Sequence, residues 1–166
     1  GKTEHGGGFM LEFRRASDVD ALAEFFGQLT RAGDDRFFHP HPFTHDEAVR
    51  VANHTGRDLY LVAVDGSRII AYGLLRGWDA GFEVPSLGIA VHPKERGSGV
   101  ARAFMIFLHA AARRQGATRV RLKVYPDNAA AKRLYESLGY VFMDKAPAGQ
   151  LIGIYDLSPR YRAEAG

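Results

Sequence analysis

No cysteine occurs anywhere in the 166 residues. That excludes a disulfide framework, a thiol nucleophile and any cysteine-bearing metal cluster. No apolar run approaches the roughly 18–20 residues that cross a bilayer. The opening segment GKTEHGGG lacks the apolar core of a signal peptide. Residues 1–8 are therefore expected to be a disordered N-terminus or a cloning remnant, and residues 159–166 a C-terminal tail. Two phosphate-binding signatures are also missing. Without G-x-x-x-x-G-K-[ST] there is no P-loop, and without G-x-G-x-x-G and its downstream acid there is no dinucleotide fold. Repeats and low-complexity stretches are absent too. What remains is 46% hydrophobic and 25% charged, the composition of a globular chain. One domain over residues 9–158, soluble and cytoplasmic, is the expectation.

The net charge of +3 conceals a segregation. Residues 94–133 hold ten Lys/Arg against two Asp/Glu, whereas residues 1–93 hold nine against thirteen. A basic segment suits nucleic acid or a polyphosphorylated small molecule equally, and an acidic half suits a cation.

Hydrophobic periodicity supplies the elements. Residues 9–15 read as a strand. Ser17 with Asp20 reads as a helix start ahead of Leu22, Phe26 and Leu29, and Thr44 with Glu47 as a second. Between them GDDRFFHPHPF is broken by proline and reads as a loop. LYLVAV and RIIAYGLLR flank Asp65-Gly66 as a hairpin. Residues 83–91 read as a strand, 98–115 as a helix ending near Gly116, 119–125 as a strand and 128–138 as a helix stopped by Gly139. Two short strands close the chain. The expected fold is an α/β mixed sheet of about seven strands flanked by about four helices.

The sharpest local signal is VHPKERGSGVARAFM, residues 91–105. A strand ends, the chain turns at His92-Pro93, and Arg96-Gly97-Ser98-Gly99-Val100-Ala101 leads into a helix. Glycines let a ligand approach the backbone, and the free N–H groups of a first helical turn, with the helix dipole, favour an anion. Arg96, Gly99 and Ala101 resemble the R/Q-x-x-G-x-G/A acyl-CoA motif of GNAT acetyltransferases. VYPDNAAAKRLYESLGYVF, residues 124–142, resembles that family's closing motif, with Asn128, Tyr135 seven residues later, and LGY. The two together cover about residues 59–142.

The resemblance implies a GNAT-like fold and acetyl-CoA as cosubstrate, with no metal. Two central strands would splay, and pantetheine would lie along the backbone of Leu87, Gly88, Ile89, Ala90 and Val91. The diphosphate would sit on the N–H groups of Gly97, Ser98, Gly99, Val100, Ala101 and Arg102. Asn128, Ala131, Lys132 and Tyr135 would complete the cosubstrate site, with Arg133 near the 3′-phosphate. Tyr135 would act as general acid toward the leaving thiolate, and a backbone N–H near Ile89 would meet the oxyanion. Where some members carry a glutamate base this chain has Pro85, so Glu83, two residues earlier on the expected strand, becomes the candidate base, with Asp79 as second. His92 reads as structural. His39, His41 and His45 fit no zinc spacing.

The expected partners are acetyl-CoA and an amine acceptor, with a homodimer allowed and neither nucleic acid nor membrane. The expected reaction is acetylation of a small-molecule amine. Residues 71–93 are similar to bacterial members of the family linked to carbohydrate pathways, and Tyr72, Trp78 and Phe82 with Arg76 and Glu83 would suit a sugar face or a nucleotide sugar. A protein or peptide N-acetyltransferase and a non-catalytic acyl-CoA-binding module are the alternatives.

Overall fold

A computed structural model describes residues 10–146 and 148–157. The segments 1–8 and 159–166 lie outside the described residues. The elements are β1 (Leu11–Arg15), α1 (Val19–Arg31), α2 (His45–Ala52), β2 (Leu59–Asp65), β3 (Arg68–Arg76), β4 (Ser86–Val91), α3 (Val100–Arg114), β5 (Arg119–Val124), α4 (Ala129–Leu138), β6 (Val141–Lys145) and β7 (Leu151–Asp156). The order is the one the periodicity predicts, and several details differ for identifiable reasons. Asp18, not Ser17, caps α1, its carboxylate accepting from the Ala21 N–H at 3.1 Å. The loop before α2 contains one 3₁₀ turn, Asp34–Arg36. Gly99 has φ +92°, so α3 begins after it rather than at residue 98. β4 starts at Ser86, which leaves Glu83 in the preceding bend. Pro85 has no N–H for a ladder, and the turn through Trp78–Ala80 delivers the chain to the sheet only at that point.

The seven strands form one sheet in the order β1-β2-β3-β4-β5-β7-β6. Side-chain alternation divides β2 and β3 between two cores. Tyr60, Val62, Tyr72 and Leu74 pack with Leu22, Phe25, Phe26 and Leu29 of α1 and with Ala48 and Val51 of α2. Leu61, Ala63, Leu75 and Leu87 pack on the other face with Phe104, Met105 and Leu108 of α3 and Tyr135 of α4. Gly73 is required here, since a Cβ would lie 2.8 Å from the Phe104 ring. β4 and β5 are parallel and share a single register pair, Ser86 with Arg121. Every other neighbouring pair in the sheet runs antiparallel over several residues.

The inner face of α3 also carries His109. It is buried, 2.7 Å from the Tyr140 hydroxyl and stacked on Tyr155 at 4.4 Å. Burial, with a smaller contribution from Arg113, pushes its pKa down to about 4. In the unfolded chain the ring titrates near 6.5, so between those values the unfolded state holds the extra proton. Stability is then complete above pH 6.5 and falls as pH drops toward 4, by about 2 kcal/mol at pH 5 from this ring alone. His41 and His92 are shifted downward by burial as well and add in the same direction. Urea unfolding at pH 7.5 and pH 5 should show this loss, and His109→Leu should shrink the difference between the two pH values. Equal parent stability at both would contradict it.

Candidate functional site

The site begins where the sheet opens. The Arg121 N–H donates to the Pro85 carbonyl at 3.0 Å, and beyond that bond β4 and β5 separate. Peptide groups along a strand alternate in direction. The Pro85 carbonyl points to β5 and the His92 N–H to Ile70 of β3. The Ser86–Arg121 bridge uses the Leu87 N–H as well. The Leu87 C=O and the N–H and C=O groups of Ile89 and Val91 therefore turn into the gap, where no strand among the described residues pairs with them. This is an unpaired edge inside a sheet, ready to bond an extended ligand.

A cavity of about 550 Å³ runs from this gap to the start of α3. Gly97 and Gly99 line it with φ of +79° and +92°, and a Cβ on either would meet no atom of the described residues within 4 Å. No side chain caps α3, so the first-turn N–H groups stay available. Together they form a concave anion cradle at a helix N-terminus. Arg96 also lines the cavity and is held by Asp34 of the 3₁₀ turn, which ties the loop before α2 to the glycine turn. Arg102 reaches across to the Ser137 hydroxyl of α4 at 2.8 Å.

A second cavity, of about 370 Å³, adjoins the first. The two share Phe37, Phe38, Ile89, Asn128, Ala131 and Tyr135, so they meet beside the opened strands. Tyr135 is 9% exposed, and burial alone pushes its pKa up to about 12. It therefore stays a neutral phenol through the working range of pH. Asn128 caps α4 through its side chain, accepting from the Ala131 N–H at 3.4 Å, and borders both cavities at the same time.

The sequence-selected residues divide as follows. Ile89, Ala90, Val91, Arg96, Gly97, Gly99, Ala101, Arg102, Asn128, Ala131 and Tyr135 line the larger cavity. Leu87 and Gly88 line the smaller one. Ser98, Val100, Lys132 and Glu83 line neither. The Ser98 hydroxyl donates to the Glu95 carbonyl, the Val100 side chain is buried in the core, and Lys132 pairs with Glu136 at 3.1 Å. Glu83 is exposed in the bend before β4, and Asp79 accepts from the Arg57 and Asp58 N–H groups. The three loop histidines have separate surroundings. His39 Nε2 lies 3.0 Å from the Tyr125 hydroxyl, His41 Nε2 lies 2.9 Å from the Tyr72 hydroxyl, and His45 opens α2. His92 Nδ1 accepts from the Lys94 N–H and fixes the turn before the glycines.

Sequence reasoning missed the roof. Phe37 and Phe38 come from the proline-broken loop and cover the junction of the cavities. Phe38 sits so close to β4 that a Cβ on Gly88 would be 2.7 Å from its ring. The density of aromatics in a loop without periodicity was the available signal.

Comparisons with known proteins agree with this geometry. The family model described as "Acetyltransferase (GNAT) family" matches residues 23–140. The fold is similar to the GNAT domain of S. lividans PAT, with a TM-score of 0.75 and 20% identity over 88% of this chain and 89% of that one. It is also similar to the ribosomal-protein-S18-alanine N-acetyltransferase from Escherichia coli, at 0.67 and 22% over 90% and 96%. A third similar structure is yncA from Salmonella typhimurium with its cofactor acetyl-CoA, at 0.72 and 21% over 90% and 95%. A search of curated proteins by sequence gave no match. The family match takes in the glycine turn, both diverging strands and Tyr135 over well more than half of the sequence, and this chain belongs to the acetyltransferase (GNAT) family, the acetyl-CoA-dependent N-acetyltransferases.

Proposed function

We propose that the acceptor is the primary amine of a small molecule, and that it enters through the smaller cavity while acetyl-CoA occupies the larger. The observation that carries this reading is the meeting of the two cavities at Ile89 and Tyr135. In that arrangement the amine nitrogen attacks the thioester carbonyl, the carbon–nitrogen bond forms, and the carbon–sulfur bond breaks. The Ile89 N–H, turned into the gap, stabilises the oxyanion. Tyr135 gives its proton to the departing sulfur and recovers one from solvent as CoA leaves. The remaining work is positioning. The cradle at Gly97 and Gly99 holds the diphosphate through backbone N–H groups.

The amine must lose a proton to attack. Glu83 has neither cavity beside it, whereas His39 lines the smaller one. With Nε2 engaged by Tyr125, its other ring nitrogen is left to accept that proton. His39→Gln is expected to lower kcat/KM roughly tenfold, below the usual scale for a lost base because water can relay the proton. Glu83→Gln should leave the pH–rate profile unchanged. Rates of the two variants in the reverse order would return the base to Glu83.

The function itself is tested by an acceptor screen that reads free CoA across amino sugars, nucleotide-linked amino sugars, polyamines and peptide N-termini. Acceptor-dependent CoA release from a small amine supports the proposal. Release only with peptides would assign this chain to protein acetylation, as the name of the Escherichia coli neighbour says of that protein.

A further inference from the structure

We infer that the acceptor carries an anionic group in addition to its amine, and that Arg76 and Lys123 hold it. The inference rests on the smaller cavity being the acceptor site. No carboxylate lines that cavity among the described residues, while Arg76, Lys123 and His39 do. The acidic balance of residues 1–93, which suits a cation, is thus not carried into this cavity.

The placement follows from register. Arg76 of β3 pairs with Ser86 of β4, and Ser86 with Arg121 of β5. In-register residues of neighbouring strands share a face, at about 4.8 Å per strand, and Lys123 follows Arg121 on that face. Three cations thus stand in a patch at the end of the sheet where β4 and β5 begin to part. Like charges so arranged repel, and three acids of the same half of the chain as Arg76 are engaged elsewhere. Glu47, whose field Arg76 reaches, is bonded to Arg50. Asp34 is paired with Arg96. Asp58 accepts from the Gly77 and Asp79 N–H groups. Among the described residues neither Arg76 nor Lys123 has a carboxylate within ion-pair distance. Ser86 and Gln150 add neutral donors on the same lining. An anion bound there, with the amine directed to the junction at Tyr135, spans the cavity. The shared chemistry is a carboxylate or phosphate on a primary amine.

Matched acceptor pairs test this: α-amino acids against their amides, and amino-sugar phosphates against the unphosphorylated amino sugars. The first pair reports carboxylate and the second phosphate. One anionic series is expected to exceed its neutral partners in kcat/KM by roughly 10–100-fold, the range of a charge-assisted contact. Arg76→Gln should erase most of that ratio while acetyl-CoA affinity stays close to the parent's, and exposed Lys123→Gln should do so in part. Calorimetric binding of each pair to the enzyme–CoA complex provides a readout without turnover. Equal rates and equal binding within every pair would overturn the inference while leaving acetyl transfer standing. Absence of turnover for every acceptor would count against the transfer reading, and tighter binding of the anionic members would still uphold the anion site. No binding of any anionic member would overturn it.

Discussion

Tyr135→Phe is expected to lower kcat by roughly 10–1,000-fold with acetyl-CoA affinity almost unchanged. The substitution removes one oxygen and retains the ring, which is packed in the core beside Tyr140. In the proposed placement affinity comes from the glycine cradle and the exposed strand edge, neither of which the phenol supports. The phenol's burial bears on the size of the loss. A pKa near 12 would make a weak acid toward a thiolate in water, where an alkyl thiol titrates near 8.5. The thiolate forms in the same desolvated space, however, and burial penalises its charge just as it penalises the phenolate. The difference that governs proton transfer is the one inside the cavity. Pre-steady-state measurement of the chemical step would check this. An unchanged rate with chemistry limiting would leave Tyr135 as a packing residue. A thioester with a more acidic thiol should suffer less from the loss, a dependence that a purely structural role for the hydroxyl would not produce.

Elements with a strong period were legible in the sequence, and features set by tertiary contact were not. Seven strands and four helices followed from alternation and from capping at Thr44 and Gly139, because those signals are local. The start of β4 was misread for the same reason. EVPSLGIAV alternates well enough to suggest a strand from Glu83, but strand membership is decided by bonds to β3 and β5, and Pro85 has no N–H to give. Glu83 was selected as base on that strand reading, and the bend leaves it exposed and outside the lining of both cavities. The roof of Phe37 and Phe38 has no period to detect, and its position depends on Gly88 leaving room for one ring. The basic residues of β5 were visible as one face of an alternating strand. That Lys123 faces a cavity without an acid could not be seen, because the cavity lining is gathered from distant segments and the partners of Asp34 and Asp58 are far away in sequence.

Gly99→Val is expected to weaken acetyl-CoA binding by about 100-fold or more, with Gly116→Val as the control that makes the result interpretable. Gly99 ends the turn before α3 at φ +92°, where a β-branched residue is strained, and nothing among the described residues lies within 4 Å of the Cβ it would gain. The same is true of Gly116 after α3, at φ +89°. The two substitutions therefore carry similar backbone strain, of order 1–3 kcal/mol each, on opposite ends of one helix. They differ in what the new side chain meets. At Gly99 it projects where the cavity wall offers bare N–H groups, and two methyl groups would hold a diphosphate off those donors. The helix dipole would then act across a longer distance and through more water. At Gly116 the side chain lies away from both cavities. Unfolding midpoints of the two variants should fall together, while calorimetry should show loss of acetyl-CoA affinity in Gly99→Val alone. Equal affinity loss in both would make the effect one of helix strain and remove the cradle from the binding argument. Full affinity in Gly99→Val would place the diphosphate elsewhere.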